Sequence, residues 1–255
     1  MMTEEERREA MDRLRPYVER ARRFSGWDFS ELEIRHLEPG PPWDYEQVVR
    51  ELASAGGRAL DMGTGGGEVL ARLRAALPRR TVATEEWHVN APIAYARLRP
   101  LGIDVVRTRN LALPFRDGAF ELVINRHEEL APSEVARVLA QGGRFVTQQV
   151  GRHQLWELRR YLPRMRDFGD QRWEYARGLE EAGLVVTRSQ EHDYKVAYRT
   201  LGDLVFLFCV TPWSIADFDI EGDLEALLAV ERDLATEEGV VVTETRYLLA
   251  AEKPG

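Results

Sequence analysis

The sequence predicts an α/β fold, a mostly parallel β-sheet with helices on both faces. Three observations predict it. Between residues 58 and 150, short β-type runs alternate with helical patterns, the signature of βαβ units. Where the first run meets the first helix, RALDMGTGGGEVL (58–70) places four glycines in five positions. Glycine loses the most entropy on folding, so such a cluster at a strand-to-helix junction implies a close backbone approach. Finally, 255 residues at 44% hydrophobic and 31% charged suit one well-buried domain and leave no room for two ordinary ones.

Taken in order, residues 4–24 alternate acids and arginines at helical spacing. Met11, Leu14, Val18 and Ala21 or Arg22 trace a narrow apolar stripe, which predicts a peripheral, salt-bridged helix. Residues 25–44 break the pattern: Trp27, Phe29 and Trp43, with Tyr45 just beyond, are interleaved with Gly26, Pro39, Gly40, Pro41 and Pro42, an aromatic-rich irregular connector. Strands are expected at 58–62, 81–84, 103–106, 120–125 and 143–150, with helices at 68–77, 91–101 and 132–141 between them. Right-handed crossovers put every strand-to-helix loop of such a sheet on one edge, where ligands bind. Past Val150 the order changes to helices at 155–161 and 171–182, a strand at 184–198, helices at 202–210 and 223–238, and a last strand at 240–253.

Bulk chemistry excludes several classes. A net charge of −8 is the wrong sign for a protein that binds by neutralising phosphates, so nucleic acid is unlikely as a partner. The longest apolar run, 204–210, is far short of the ~20 residues of a membrane span, and the acidic start is no signal peptide, so no membrane association and a cytoplasmic location are expected. Cys209, the sole cysteine, permits no intrachain disulfide and reads as a core residue of that run. His36, His88, His153 and His192 lack metal-ligand spacing, and no metal is expected; no G-x-S-x-G elbow supports a Ser/His/Asp triad.

A glycine-rich turn lets a ligand lie against bare backbone near the positive end of the following helix. A dinucleotide fingerprint starting at Gly63 would require glycine at position 68, where Glu68 stands. Asp61 and Glu68 would repel a pyrophosphate but accept a ligand carrying ammonium and sulfonium cations.

Asp61-Met62-Gly63-Thr64-Gly65-Gly66-Gly67 resembles the D/E-x-G-x-G-x-G signature of class I S-adenosylmethionine-dependent methyltransferases, and further segments match in order. TVATE (81–85) resembles the strand ending in the acid that holds the ribose hydroxyls, LPFRDGAFELVI (113–124) the run into the fourth strand, and GGRFVT (142–147) the fifth. More loosely, TEEWHVNAPIAYARLRPLG, NRHEE, TQQVG, TPWSIADF and RYLLAAEKP resemble a group of small bacterial, type-11-like methyltransferases. The resemblance implies a Rossmann-like, seven-stranded sheet in a single methyltransferase domain, 1–255. Residues 1–56 would be an N-terminal helical and aromatic cap, 57–150 the cofactor-binding core, and 151–255 a C-terminal half whose insertion forms a lid with substrate-side elements. It implies S-adenosylmethionine as cofactor, held by Asp61, Gly63, Thr64, Gly65, Gly67, Glu85, Asn110, Leu111, Asn125 and Arg126. Asn110 takes the position that reads the adenine amino group, or Arg109 if the register is shifted; Glu85 rather than Glu86 follows from the register of the match.

Methyl transfer from a sulfonium needs the nucleophile held on the methyl axis and water excluded, a positioning effect worth ~7–11 kcal/mol. A general base helps when the nucleophile must lose a proton, and His127 and Glu128, in the loop after FELVIN, are the catalytic candidates. His127 also reads as a loop residue that bonds locally. The expected acceptor is a small molecule, aromatic or hydrophobic, lined by Trp27, Trp43, Tyr45, Gln149, Tyr194 and Trp213, in a monomer or homodimer. Two other readings stay open: an RNA or protein methyltransferase using the arginines at 152, 159, 160, 164, 166 and 172, and a non-methylating use of S-adenosylmethionine such as intramolecular cyclisation.

Overall fold

A computed structural model describes residues 2–27, 29, 32–54 and 56–255. Helix α1 (Glu4–Arg22) opens on a capping box between Thr3 and Glu6, carries acids in its first turn and arginines in its last, and buries Ala10, Met11 and Leu14. The irregular connector follows; its residues 28, 30 and 31 lie outside the described ones. It yields two elements not expected from sequence, the three-residue strand β1 (Ile34–His36) and helix α2 (Tyr45–Leu52), capped by Asp44.

The alternating core then runs β2 (Arg58–Met62), α3 (Glu68–Leu73), β3 (Arg80–Glu85), α4 (Asn90–Leu98), β4 (Asp104–Arg107), β5 (Phe120–Arg126), α5 (Pro132–Val138) and β6 (Leu139–Val150). The C-terminal half adds a 3₁₀ turn at Trp156–Arg160, α6 (Gln171–Glu181), β7 (Val185–Tyr198), α7 (Leu201–Val210), α8 (Leu224–Leu234), β8 (Ala235–Thr236) and β9 (Gly239–Glu252). The expected helix at 223–238 stops at Leu234 because Ala235 is already extended, and its tail pairs with β9 as β8.

All three sequence segments feed one nine-stranded sheet of order β1-β7-β9-β6-β5-β2-β3-β4, with β8 on β9. Five neighbouring strands, β2 to β6, are parallel; β9, β7 and β1 are antiparallel additions. The expected seven strands become nine because β1 and β8, at three and two residues, are too short to show a period.

Three apolar cores follow. Val48 and Val49 of α2 join Leu70, Leu73, Ala94 and Leu98 on one face of the sheet. On the other face, Val135, Val138 and Leu179 of α5 and α6 cover Leu60, Val123 and Phe145. Strands β7 and β9 outrun β6, whose last residue Val150 pairs with Arg246, and the overhang carries α1, α7 and α8 on a third core built from Leu14, Leu204, Phe208, Leu227 and Val242. This overhang walls the edge where the β2, β3, β5 and β6 loops open. No helix among the described residues is long and apolar enough to cross a membrane.

Candidate active site

The glycine turn after β2 adopts the backbone that only glycine takes readily: Gly63, Gly65 and Gly67 have φ of 72°, 61° and 81°. The end of β3 pins it. Thr64 N–H donates to the Thr84 carbonyl at 2.9 Å and Gly65 N–H to Glu85 Oε2 at 2.7 Å, while Glu85 Oε1 accepts from Trp87 N–H at 2.8 Å. Thr84 Oγ1 donates to Asn110 Oδ1 at 2.6 Å, tying in the loop after β4.

Two side chains lie on this turn. A Cβ at Gly65 would stand 2.5 Å from Trp27 Cδ1, and one at Gly63 would collide with Glu128 Cγ. Trp27 is held there by Phe29, Trp87 and Trp213, with ring centroids 5.6–5.7 Å apart, and by the neighbouring Gly26 N–H, which donates to Asn90 Oδ1 at 3.0 Å. Around the turn, three buried polar atoms have no hydrogen-bond partner: Thr64 Oγ1, Asn90 Nδ2 and Asn110 Nδ2. Thr64 and Asn110 draw the carboxyls of Asp61 and Glu128 downward without reaching hydrogen-bonding geometry. Burial outweighs that pull, reinforced by the neighbouring carboxylates; Asp61 rises to about 6 and Glu128 to about 7.

Strand alternation sorts the rest onto two faces. On the α5 side, Asn125 donates to the Met62 carbonyl at 3.2 Å and accepts from Thr147 at 2.7 Å and Gln149 at 2.6 Å, and Gln149 also donates to the Glu128 carbonyl at 2.8 Å. On the α2 side, Arg126 pairs in register with Gln148, whose Oε1 accepts from Trp43 Nε1 at 2.9 Å and whose Nε2 lies 3.5 Å from His127 Nε2. His127 sits at φ 57°, a left-handed conformation for a non-glycine residue. Its ring reaches solvent, yet enough protein surrounds it that desolvation, then the charges of Arg126 and Arg246, hold its pKa well below the usual 6.5. It presents a neutral imidazole just past the C-terminal end of β5.

Residues 60–147 match the family model of the methyltransferase domain. No curated protein matches the chain by sequence. Among solved structures it is similar to a functionally unknown protein from Deinococcus radiodurans R1 (18% identity, TM-score 0.62, covering 96% of this chain and 99% of that one). It is also similar to the [4+2]-cyclase SpnF (16%, 0.56, 96% and 95%) and to geranyl diphosphate C-methyltransferase from Streptomyces coelicolor A3(2) (19%, 0.51, 93% and 98%). At these identities the likenesses establish the methyltransferase fold.

The residues present fit S-adenosylmethionine. A left-handed glycine turn offers bare backbone, three unpartnered donors surround it, and Asp61, Glu85 and Glu128 supply anionic partners for an ammonium and hydroxyls. A ligand lying on the glycines takes the space of the Trp27 indole and the Glu128 stem, so both side chains must swing aside.

Several sequence expectations are corrected here. The six residues expected around the acceptor do not converge: Trp27 and Trp213 sit with Trp87 on the β3 side, Trp43 on the β6 side, and Tyr194 in the overhang. The Tyr45 hydroxyl donates to the Asn125 carbonyl at 3.0 Å, and the Tyr194 hydroxyl to Glu244 at 2.9 Å, both buried; each is structural. Gln149 spends its amide on the Asn125 network, and strand alternation puts Gln148 on the opposite, α2-side face beside Trp43. Asn125 likewise uses its side chain to bind β2, β5 and β6 together, and Leu111 lies 47% exposed. The two residues expected to be catalytic are separated: Glu128 lies on the glycine turn and His127 beside Gln148.

Proposed function

We propose that this enzyme transfers the methyl group of S-adenosylmethionine to a small-molecule acceptor bound in the α2-side cleft. The observation that carries the reading is the left-handed glycine turn ringed by unpartnered Thr64, Asn90 and Asn110 atoms. Gly63, Thr64, Gly65 and Gly67 would cradle the cofactor, Glu85 would take its ribose hydroxyls, Asp61 and Glu128 its ammonium, and Asn110 Nδ2 the adenine, with Leu111 beside it. Trp27, Trp87 and Trp213 would cover it. When bound, the cofactor supplies an electrophilic methyl on a sulfonium. His127, already neutral, can accept the proton of a hydroxyl or amine acceptor as the new bond to carbon forms. Trp43, oriented by Gln148, gives the cleft an apolar wall suited to a flat or hydrophobic acceptor.

The arginine cluster does not favour an RNA substrate. Arg152 and Arg159 pair with Asp167, Arg164 with Asp223 and Arg172 with Glu191, while Arg160 and Arg166 lie over Tyr161 and Phe168. Positive charge already matched by carboxylates attracts phosphates weakly.

Calorimetry with S-adenosylhomocysteine tests the reading. We expect binding by the native chain and none by folded Gly65→Val, whose side chain would fill the cradle; unchanged affinity would refute the placement. Product analysis after incubation with S-adenosylmethionine alone reports acceptor-free cyclisation or cleavage.

A further inference from the structure

At the α2-side end of β5 stands a guanidinium with no ion-pair partner among the described residues. Arg126 closes β5, and alternation puts it on the face of Leu122 and Ile124, which pack under α2. It emerges where that packing ends, next to Gln148 across the β5–β6 register and one residue before His127. Among the described residues, no carboxylate reaches it and no hydrogen bond engages it. The neighbouring charges are satisfied. Glu46 of α2 is taken by Arg50 and Arg72, at 3.0 and 2.7 Å, and Arg246 on β9 is held by Glu244 and Gln154, each at 2.9 Å. Glu244 is itself saturated by Tyr194 and Tyr198.

Arg126 is exposed at the end of β5, so an anion can reach its guanidinium from solvent. In a chain of net charge −8 this is a local reversal of sign at the mouth of the proposed acceptor cleft. A planar guanidinium matches a carboxylate or phosphoryl group bidentately.

We infer that the acceptor carries a carboxylate or phosphoryl anion that docks on Arg126, with its apolar body against Trp43 and its nucleophile near His127. This rests on the methyl-transfer reading and deepens it by naming the acceptor class. It also reassigns Arg126, which the sequence placed with the cofactor. The β5–β6 register sets Arg126 beside Gln148, while the β2–β5 register sets it one position past the Met62–Asn125 pair, so the cofactor arm of the test below decides between the two placements.

The test uses the full chain, saturated with S-adenosylhomocysteine, titrated with benzoate and with its neutral analogue benzamide. The native protein should bind benzoate in preference to benzamide. Arg126→Gln should weaken benzoate at least tenfold, Arg126→Lys should recover part of the loss, and S-adenosylhomocysteine affinity should be unchanged in both. Equal binding of the two probes, or benzoate binding indifferent to Arg126→Gln, overturns the inference. So does a loss of S-adenosylhomocysteine affinity in Arg126→Gln with 5′-methylthioadenosine affinity intact, since the arginine would then hold the cofactor's own carboxylate. If the native chain fails to bind S-adenosylhomocysteine, the methyl-transfer reading falls separately, and benzoate titration of the unloaded chain still decides the role of Arg126.

Discussion

Glu128 offers a quantitative test of how the glycine turn is occupied. Its side chain lies on Gly63, and burial lifts its pKa from the ordinary 4.5 to about 7. The folded protein therefore keeps a proton that the unfolded chain releases between those values. The group's contribution is fully present below pH 4.5 and is lost as pH rises through 7. At about 1.4 kcal/mol per pH unit, ionising Glu128 costs the native state up to about 3 kcal/mol at pH 8. Glu128→Gln mimics the protonated acid at every pH. The variant should match the native chain at pH 4.5 and exceed it at pH 8 by up to about 3 kcal/mol, roughly 6–12 °C in Tm for a domain of this size. Urea unfolding at a series of pH values measures the difference, in which all other titrating groups cancel. The same substitution removes the anion that would meet the ammonium of the cofactor. S-adenosylhomocysteine affinity should thus rise with pH through 7 in the native chain and stay flat and weaker in the variant. Parallel pH curves, or a variant less stable at pH 8, would show that Glu128 is not buried on the turn as described.

Three further outcomes are expected. Because the Trp27 indole occupies the space over Gly65, S-adenosylhomocysteine should change the tryptophan emission of the native chain, and Trp27→Phe should lose most of that response; an identical response would place the ligand elsewhere. His127→Ala should lower kcat by roughly 10²–10⁴ if the ring acts as base, with cofactor affinity by calorimetry unchanged, whereas turnover equal to the native chain at all pH values would remove His127 from the chemistry. Tyr198→Phe deletes one of the hydrogen bonds to buried Glu244, at 3.0 Å, and should destabilise the fold by about 1.5–3 kcal/mol in chemical denaturation; a neutral effect would show the Glu244 network to be dispensable.

What the sequence by itself determined is what is written locally. The β2-to-β6 alternation follows from runs of apolar and helix-forming residues whose periods need no distant partner. The turn follows from glycines at 63, 65 and 67, because their left-handed φ values are intrinsic to the residue type. The resemblance to the family's signature singled out the acids Asp61 and Glu85 beside that turn. Tertiary structure alone decided which side chains share a space. Strands β1 and β8 exist only because the edges of β7 and β9 recruit them. Trp27 reaches Gly65, and Trp43 reaches Gln148 across 105 residues, because long-range packing folds the N-terminal connector over two different loops. The aromatic residues expected in one pocket were therefore dispersed, and Tyr45, Asn125, Gln149 and Tyr194 were drawn into buried hydrogen bonds, since a polar group enclosed far from water must find a partner. The isolation of Arg126 is equally invisible in sequence: whether a guanidinium has a counter-ion depends on where every nearby carboxylate has already gone.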